Sequence, residues 1–476
     1  MNRMDLYEAI GQADDQALAR SEKKSSHKFR WTAAIAAMLA VVFAVGLLVR
    51  PGGGPIACAV RTAEYPEMAP YPNDETDEAA VDKWYSSRQA FAPEDPDFAE
   101  DLRPFFTAAV DAMLSDSEET NPVCSPVNFY MALGMLAELS GGESRRQILD
   151  LLGSDSVEAL RAQAQIVWEA TYQNDGATTV IPASALWMNQ EVSFLPETLD
   201  TLADAYYAST FQGEMGSPEL NNALQTWLNE QTGGLLEEQI SEETLDPRTV
   251  LALTASLYYR AKWGFAFDPA ETRPGTFHAP GGDIEQDFMH QQDTCDYWWF
   301  DQFSAIQKPL DNDGGSMWLL LPDEGVSPEE LLKDPIVMEF ATAPWETRMD
   351  CWGDAHSKYL IVNLALPKFD VSGTMDLKAS MESLGVTQVF DPEHADFSPT
   401  TDEKSVQPLY LSQATHTVRV AADEEGITAA AYTKMALEGA GEPPTEEVDF
   451  TLDRPFLFVL TSSWGIPLFA GIVNEP

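Results

Sequence analysis

The sequence predicts an α+β fold, in which helices and strands follow one another without the regular strand–helix–strand rhythm of a parallel sheet. Two observations carry this. Past Phe98 the apolar pattern switches irregularly between helical and strand periods and never repeats at a fixed interval. With 44% apolar residues, among them 12 Trp, 23 Phe and 14 Tyr, the 476-residue chain has ample material for a folded core. Its length fits one large body of roughly 350 to 400 residues as well as two or three average domains.

The N-terminal segment, residues 1–30, is polar and Ala-containing, compatible with a short amphipathic helix over residues 2 to 24, and closes on the basic cluster Lys23, Lys24, His27, Lys28 and Arg30. Trp31 to Val49 follows as an uncharged apolar run. At ~1.5 Å rise per residue these roughly 19 positions just span a ~30 Å hydrocarbon core, which predicts a transmembrane helix over 31–49 acting as a signal anchor. Basic residues crowd its N-terminal flank, whereas Arg50 and Arg61 stand alone after it, so the positive-inside bias puts the N-terminus in the cytoplasm and the body outside the cell. Cleavage near Ala59, releasing a secreted form, and lipidation at Cys58 are the alternatives; Pro51-Gly-Gly-Gly-Pro55 separates both sites from the apolar run. Residues 50–96, rich in Pro, Gly, Asp and Glu, read as an acidic solvated linker.

The body is expected over 97–476. Leu102 to Leu114 and Val127 to Leu139 carry helical spacing; Thr178 to Trp187, Val250 to Tyr259 and Met317 to Leu321 carry strand patterns. Against 28 Lys and Arg stand 77 Asp and Glu, a formal charge of −49, which argues against nucleic acid and heparin-like polyanions as partners. Cys58, Cys124, Cys295 and Cys351 show no CxxC spacing; Cys58 falls before the expected body, and the other three are expected as buried thiols rather than a disulfide framework or metal site. No nucleophile elbow, HExxH, P-loop, GxGxxG or paired Cys–His spacing occurs, and His278, His290, His356 and His394 lie in polar, loop-like contexts, so neither an enzyme nor a cofactor is expected.

Several separated segments resemble the serpin family, in the family's order, from about residue 97 to Pro476. Asn121-Pro122-Val123-Cys124-Ser125-Pro126, continuing through Ser144 and Ile148 to Leu152, resembles its Asn-xxx-Ser-Pro signature. Trp227 to Gly234, Leu257 to Trp263 with Phe267, Asp268, Pro269 and Thr272, Leu366-Pro367-Lys368-Phe369, Leu384-Gly385, and Asp453-Arg454-Pro455-Phe456 through Phe469, Gly471 and Asn474 extend the match. Ala255 and Ala261 depart from the Asn and Gly that many members carry there, the first weakening a polar cluster under the sheet whose other member is His416. The most specific stretch is His416 followed by Asp423, Glu424, Glu425, Gly426, Ile427, Thr428, Ala429, Ala430 and Ala431, which is similar to the hinge of inhibitory members, Ile427 standing for the usual Thr.

The resemblance implies a prokaryotic-type member with a membrane anchor, a large central β-sheet, further sheets and about eight or nine helices, and a reactive-centre loop at about 424–447. It implies a monomeric suicide inhibitor of serine proteases, with cysteine proteases as a wider target class. Asn121, Ser125, Pro126 and His416 are expected where the main sheet opens. The family's spacing from Glu424 sets the scissile bond at Ala440-Gly441, with Leu437 and Met435 as alternatives, and a small primary residue suits elastase-like or subtilisin-like enzymes. A non-inhibitory surface binding or carrier module is the second reading, and a glycan-binding adhesive protein a third.

Local propensity alone predicts a helix over Ala429 to Glu438. The same residues also alternate as a strand, with Ile427, Ala429, Ala431, Thr433, Met435 and Leu437 on one uncharged face. No Pro interrupts Gly426 to Gly441, so nothing prevents that segment from becoming an inserted strand. Gly426 is expected to swing freely, and the β-branched Ile427 to slow the first step of insertion.

Overall fold

A computed structural model describes residues 58–72, 76–95, 97–115, 117, 120–234, 244–401, 409–412, 414–427 and 444–476. Among them no helix is long and apolar enough to cross a membrane; the run Trp31 to Val49 lies outside the described residues, as does the N-terminal segment before it.

Two sheets organise the body. The eight-stranded main sheet runs β1 (Ala59–Arg61), β5 (Ala208–Gly213), β4 (Thr179–Asn189), β6 (Leu251–Lys262), β14 (Gly426–Ile427), β13 (Thr415–Ala422), β12 (Phe369–Asp376), with β3 (Gln173–Asn174) pairing β4. The nine-stranded second sheet runs β15 (Glu447–Thr451), β11 (Ser357–Pro367), β8 (Gly282–Trp299), β9 (Phe303–Pro309), β10 (Ser316–Pro322), β16 (Phe456–Thr461), β17 (Pro467–Val473), β2 (Val123–Cys124), with β7 (Arg273–Ala279) on β8. The mixture of parallel and antiparallel pairing, with helices gathered between strands β1 and β6, is the α+β organisation expected.

Seven helices matter for the site: α1 (Glu78–Gln89), α2 (Arg103–Leu114), α3 (Pro126–Leu139), α4 (Gly142–Leu151), α5 (Val157–Thr171), α6 (Pro196–Tyr206) and α7 (Pro218–Gln231). Shorter helices between β10 and β13, such as Trp345–Arg348, take the helical segments of the described residues past the eight or nine expected. Every residue of α3 is buried, which fits its nearly uniform apolarity and makes it the axis of the core. Pro126 sits in its first turn, where the missing N–H costs nothing. Its one buried carboxylate, Glu138, receives two 2.8 Å hydrogen bonds from Arg161 of α5 and one of 3.2 Å from the Tyr206 hydroxyl of α6, so three helices share one satisfied charge.

The acidic stretch expected as a solvated linker departs from that over part of its length. Ala59 and Arg61 pair with Phe211 and Thr210 of β5, Asp77 caps α1, and Trp84 is buried with its Nε1 donating to Asp175 Oδ2 at 2.9 Å. The apolar residues there, Tyr65, Met68, Tyr71 and Trp84, are too widely spaced to register as a period, yet Tyr65 stacks on Trp168 and Tyr71 packs edge-on against Trp84, whose Nε1 reaches Asp175. Cys58 consequently belongs to the body and is partly buried; Cys351, expected inside, is exposed, and Cys295 is partly buried, leaving Cys124 as the fully buried thiol.

Candidate functional site

The loop expected to carry function leaves the main sheet at its centre. β13 ends at Ala422, and Asp423 folds the chain back: its Oδ1 accepts the Glu425 and Gly426 N–H groups at 2.9 and 3.1 Å, and its own N–H donates to Gly426 O. This local turn aims Gly426 and Ile427 between β13 and β6. Ile427 stands opposite Ala422 on one side and Ala261 on the other, and is 1% exposed. A Cβ on Gly426 would come within 2.3 Å of Ala261 O, so this position needs glycine for close backbone approach, a stronger reason than the freedom to swing. The sequence predicts that Ile427 hinders the first step of insertion; in the structure it already occupies the sheet, and its β-branched side chain fills a strand site.

Neighbouring groups hold the turn. Trp263 N–H donates to Glu425 O (3.0 Å), Phe267 N–H to Glu424 O (2.9 Å) and Trp263 Nε1 to Asp423 O (2.8 Å). The Glu424 carboxylate accepts from Thr272 Oγ1 at 2.9 Å and pairs with Lys368 Nζ at 2.9 Å. Partial burial pushes that carboxyl up, but the hydrogen bonds, chiefly from Lys368, outweigh it and hold it below its ordinary range. Burial raises Asp423.

Beneath the connector lies Lys308, buried, donating to Phe265 O (2.9 Å) and Gln291 Oε1 (2.6 Å) with its ammonium 4.2 Å from the Phe267 ring centre. Burial pushes its pKa down to about 7. Lys308 is a site residue that sequence reasoning does not single out; Trp263, Thr272, Lys368 and Asp423 belong to the matched segments, but only the fold brings them together around Glu424 and Glu425.

Below Ile427 the two flanking strands stay near each other without a continuous ladder among the described residues. β6 and β13 meet directly only at the far end, in a parallel bridge between Leu253 and Ala414, so among the described residues no ladder joins them over the intervening stretch. At that foot His416 is buried and accepts the Ser125 N–H on Nε2 at 2.9 Å, while burial drives its pKa down to about 4. Asn128 and Ala255 line the same small cavity.

Ser125 meets His416 through that bond, and Pro126 follows Ser125 as the first residue of α3. Asn121 does different work: its side chain holds the C-terminus, Nδ2 donating to Glu475 O at 2.7 Å and Oδ1 accepting from Asn474 and Glu475 N–H at 2.8 and 2.9 Å. Glu424 to Ile427 form the turn after β13 and the two-residue strand β14. Thr428, Ala429, Ala430, Ala431, Ala440 and Gly441 lie outside the described residues.

The family model described as Serpin (serine protease inhibitor) matches residues 103–476. The chain belongs to the serpin family. Among curated serpins it is 29% identical to Serpin-Z2B of Triticum aestivum over 386 residues, covering 77% of this chain and 93% of that protein, and 27% identical to Alpha-1-antiproteinase 2 of Equus caballus over 394 residues, covering 81% and 88%. Among solved structures, the thermophilic serpin tengpin in its native state superposes with a TM-score of 0.69 at 23% identity, covering 88% of this chain and all of that one. Human thyroxine-binding globulin complexed with its hormone gives 0.66 at 22% identity, covering 79% and 99%. At these identities the structural likeness establishes the serpin fold, whose members are in general protease inhibitors.

Proposed function

We propose that this serpin is a suicide-type inhibitor of serine proteases, and by extension of cysteine proteases, that traps the acyl-enzyme when its cleaved loop enters the main sheet. One observation carries the reading: Ile427 already occupies the top of a slot between β6 and β13, and among the described residues no ladder joins those two strands from there down to Leu253 and Ala414. A strand released by cleavage has a place to go, and every residue that enters gains two ladders of backbone hydrogen bonds. The process is strand addition to an open sheet, with the added strand supplied by the chain itself. The bait bond is Ala440-Gly441 by the family's spacing, suited to elastase-like or subtilisin-like enzymes, with Thr428, Ala429, Ala430 and Ala431 as the next residues to insert.

The same proposal includes a prokaryotic-type, monomeric inhibitor tethered outside the cell by residues 31–49, supported by the apolar run and its basic flank. Ala59 pairing with Phe211 favours retention of the chain through that point, since cleavage near Ala59 would disrupt β1.

The test is incubation of the protein with an elastase-like protease, followed by denaturing electrophoresis for a covalent adduct and sequencing of the released peptide. An adduct whose released peptide begins at Gly441 is expected; cleavage without any adduct, across elastase-like, subtilisin-like and papain-like enzymes, sinks the inhibitor reading. Mass spectrometry of the native N-terminus tests the anchor, and a chain beginning at Val60 or a lipidated Cys58 overturns it.

A further inference from the structure

The turn that seats Ile427 hangs on a short connector, Trp263 to Phe267, which leaves the end of β6. Its N–H groups hold the turn's carbonyls: Trp263 N–H and Nε1 donate to Glu425 O and Asp423 O, and Phe267 N–H donates to Glu424 O. The connector also rests on Lys308 of β9, which is 5% exposed. Lys308 Nζ donates to Phe265 O at 2.9 Å and to Gln291 Oε1 of β8 at 2.6 Å, with the Phe267 and Trp263 ring centres 4.2 and 5.1 Å away. One buried amine thus ties the connector, and through it the turn, to two strands of the second sheet.

Those contacts suit a neutral amine, whose two N–H groups match the two acceptors in reach; the third proton of an ammonium meets ring faces instead. The rings and the Asp293 carboxylate on β8 favour the cation, but lost hydration outweighs them and brings Lys308 down to about 7. Cys295, the other titratable group facing it from β8, is itself pushed up to about 12 by burial and stays an uncharged thiol. Met317, opposite Lys308 on β10, is apolar, and the connector carries no titratable side chain. The turn beyond the connector brings Asp423, Glu424 and Glu425, with Lys368 paired to Glu424. His290 precedes Gln291 but alternates to the other side of β8, where its Nδ1 lies against Glu271 O and Phe288 O.

We propose that Lys308 is a positioning residue that makes seating of the hinge proton-linked: the turn closes over the neutral amine, and protonation lifts the connector so that the ammonium reaches water. Phe265 is 42% exposed, so water lies just across the connector and a short displacement hydrates Lys308. The seated state has the lowered pKa and the lifted state the ordinary 10.5, so the lifted state binds the extra proton between these values. Lifting is therefore greatest below about pH 7 and declines roughly tenfold per pH unit above it, toward the ordinary lysine range. Because Ile427 begins the strand that would insert, pH above neutral should also shift a cleaved inhibitor from release of the protease toward trapping. That consequence rests on the insertion reading above; the proton linkage itself does not.

The experiment follows hydrogen exchange in peptides spanning Asp423 to Ile427, corrected for its intrinsic pH dependence, from about pH 6 to 9. Wild type, Lys308→Met, Lys308→Arg and His290→Gln are compared as full chains in detergent. Opening of the wild-type hinge is expected to fall on the order of 100-fold between pH 7 and 9. Lys308→Met, with no charge to hydrate, should be flat and closed, and His290→Gln should keep the wild-type slope. Lys308→Arg, charged throughout, should be flat and open; if it does not fold, the comparison of wild type with Lys308→Met decides. A flat wild-type profile, or a slope that survives in Lys308→Met, overturns the proposal. The number of inhibitor molecules consumed per protease inactivated is measured over the same range. A decline from pH 7 to 9 in wild type that Lys308→Met lacks supports the functional consequence, whereas cleavage without adduct at every pH, beside a pH-linked hinge, sinks the insertion reading and leaves the linkage standing.

Discussion

The two sides of β6 are held in opposite ways. Toward β4 it pairs without interruption from Thr179↔Arg260 to Met188↔Leu251, and β4 in turn pairs with β5 over Ser184↔Ala208 to Asn189↔Gly213. Toward β13 it has Leu253↔Ala414 at one end, the two residues of β14 at the other, and no ladder between them among the described residues. A mixed sheet, like any other, gains by pairing every N–H and C=O it can, so a gap in its middle is a cost that the rest of the fold sustains. The difference teaches which edge of β6 is held by a continuous ladder and which is left to two residues of β14 and a single bridge.

The largest effect should come from attacking the zipped side. Trp187 in β4 is fully buried, stacks on Phe211 at 4.2 Å, meets Trp227 edge-on at 6.2 Å, and donates Nε1 to Thr254 Oγ1 at 2.8 Å. Trp187→Ala should destabilise the protein by ~3–5 kcal/mol, measured by urea denaturation. Under the proposed insertion the β4–β6 ladder is kept, so intact and cleaved forms should suffer alike; a loss confined to the intact form would show that this side rearranges too.

Next comes acid at the foot of the gap. His416 is held neutral by burial, with its pKa down at about 4 against 6.5 in the unfolded chain. The unfolded state therefore binds the extra proton between those values, and stability should be intact above about pH 6.5 and decline as pH falls toward 4, by on the order of 3 kcal/mol. Protonation also ends the ability of Nε2 to accept the Ser125 N–H. Melting curves at neutral and mildly acid pH check this, with His416→Gln as control; a variant that retains the full acid dependence below neutrality would remove His416 from the account.

The hinge itself ranks third. Burying a residue like Ile427 is worth ~1.5–3 kcal/mol, and Ile427→Glu should forfeit roughly that in the intact protein as the two-residue strand leaves the sheet. Expulsion of β14 should expose the turn to limited proteolysis near Gly426. Continued protection there, with unchanged stability, would mean that the slot tolerates a carboxylate and is wetter than its burial implies.

This asymmetry was only half legible in the sequence. Alternation along Ile427 and the alanines after it marks a segment able to become a strand, and period alone places β4, β6 and β10 close to their observed positions, because one face of each strand must stay apolar. The α3 helix is visible for a similar reason: it is apolar all round. What periodicity cannot convey is which neighbours a strand lacks. The gap beside β6 depends on where β13 lands, and that is set far along the chain by the pairing of Leu253 with Ala414. The segment around Tyr65 was missed because isolated aromatics in a Pro- and acid-rich stretch look like linker; their partners, Trp168, Tyr172 and Asp175, are far away in sequence. Asn121, grouped with Ser125 by proximity, turns the other way and serves the C-terminus.

The smallest effect should come from the ion pair at the hinge, and its size sharpens the comparison because it asks whether the turn is held by charge or by backbone. Glu424 and Lys368 meet at 2.9 Å with side-chain exposures of 15% and 38%, so water screens the lysine end and the pair is worth at most ~1 kcal/mol. Lys368 lies between β11 and β12 and Glu424 between β13 and β14, which makes the pair a tie from the hinge to the β12–β13 side of the gap, not across it. Lys368→Met should cost about 0.5 kcal/mol, less at high salt, and leave the hinge in place, since Thr272 still donates to Glu424 and Trp263 and Phe267 still hold its neighbouring carbonyls. The Glu424 carboxyl sits below its ordinary range, so its stabilising contribution is present above the unfolded-state value and lost as pH falls through the folded one. In the variant that contribution should shrink, flattening the stability profile in the acid range. Urea denaturation of both proteins at low and high salt decides it: a loss above ~2 kcal/mol that salt does not diminish would mean that charge, rather than the Asp423 turn and the backbone bonds around it, keeps Ile427 in the sheet.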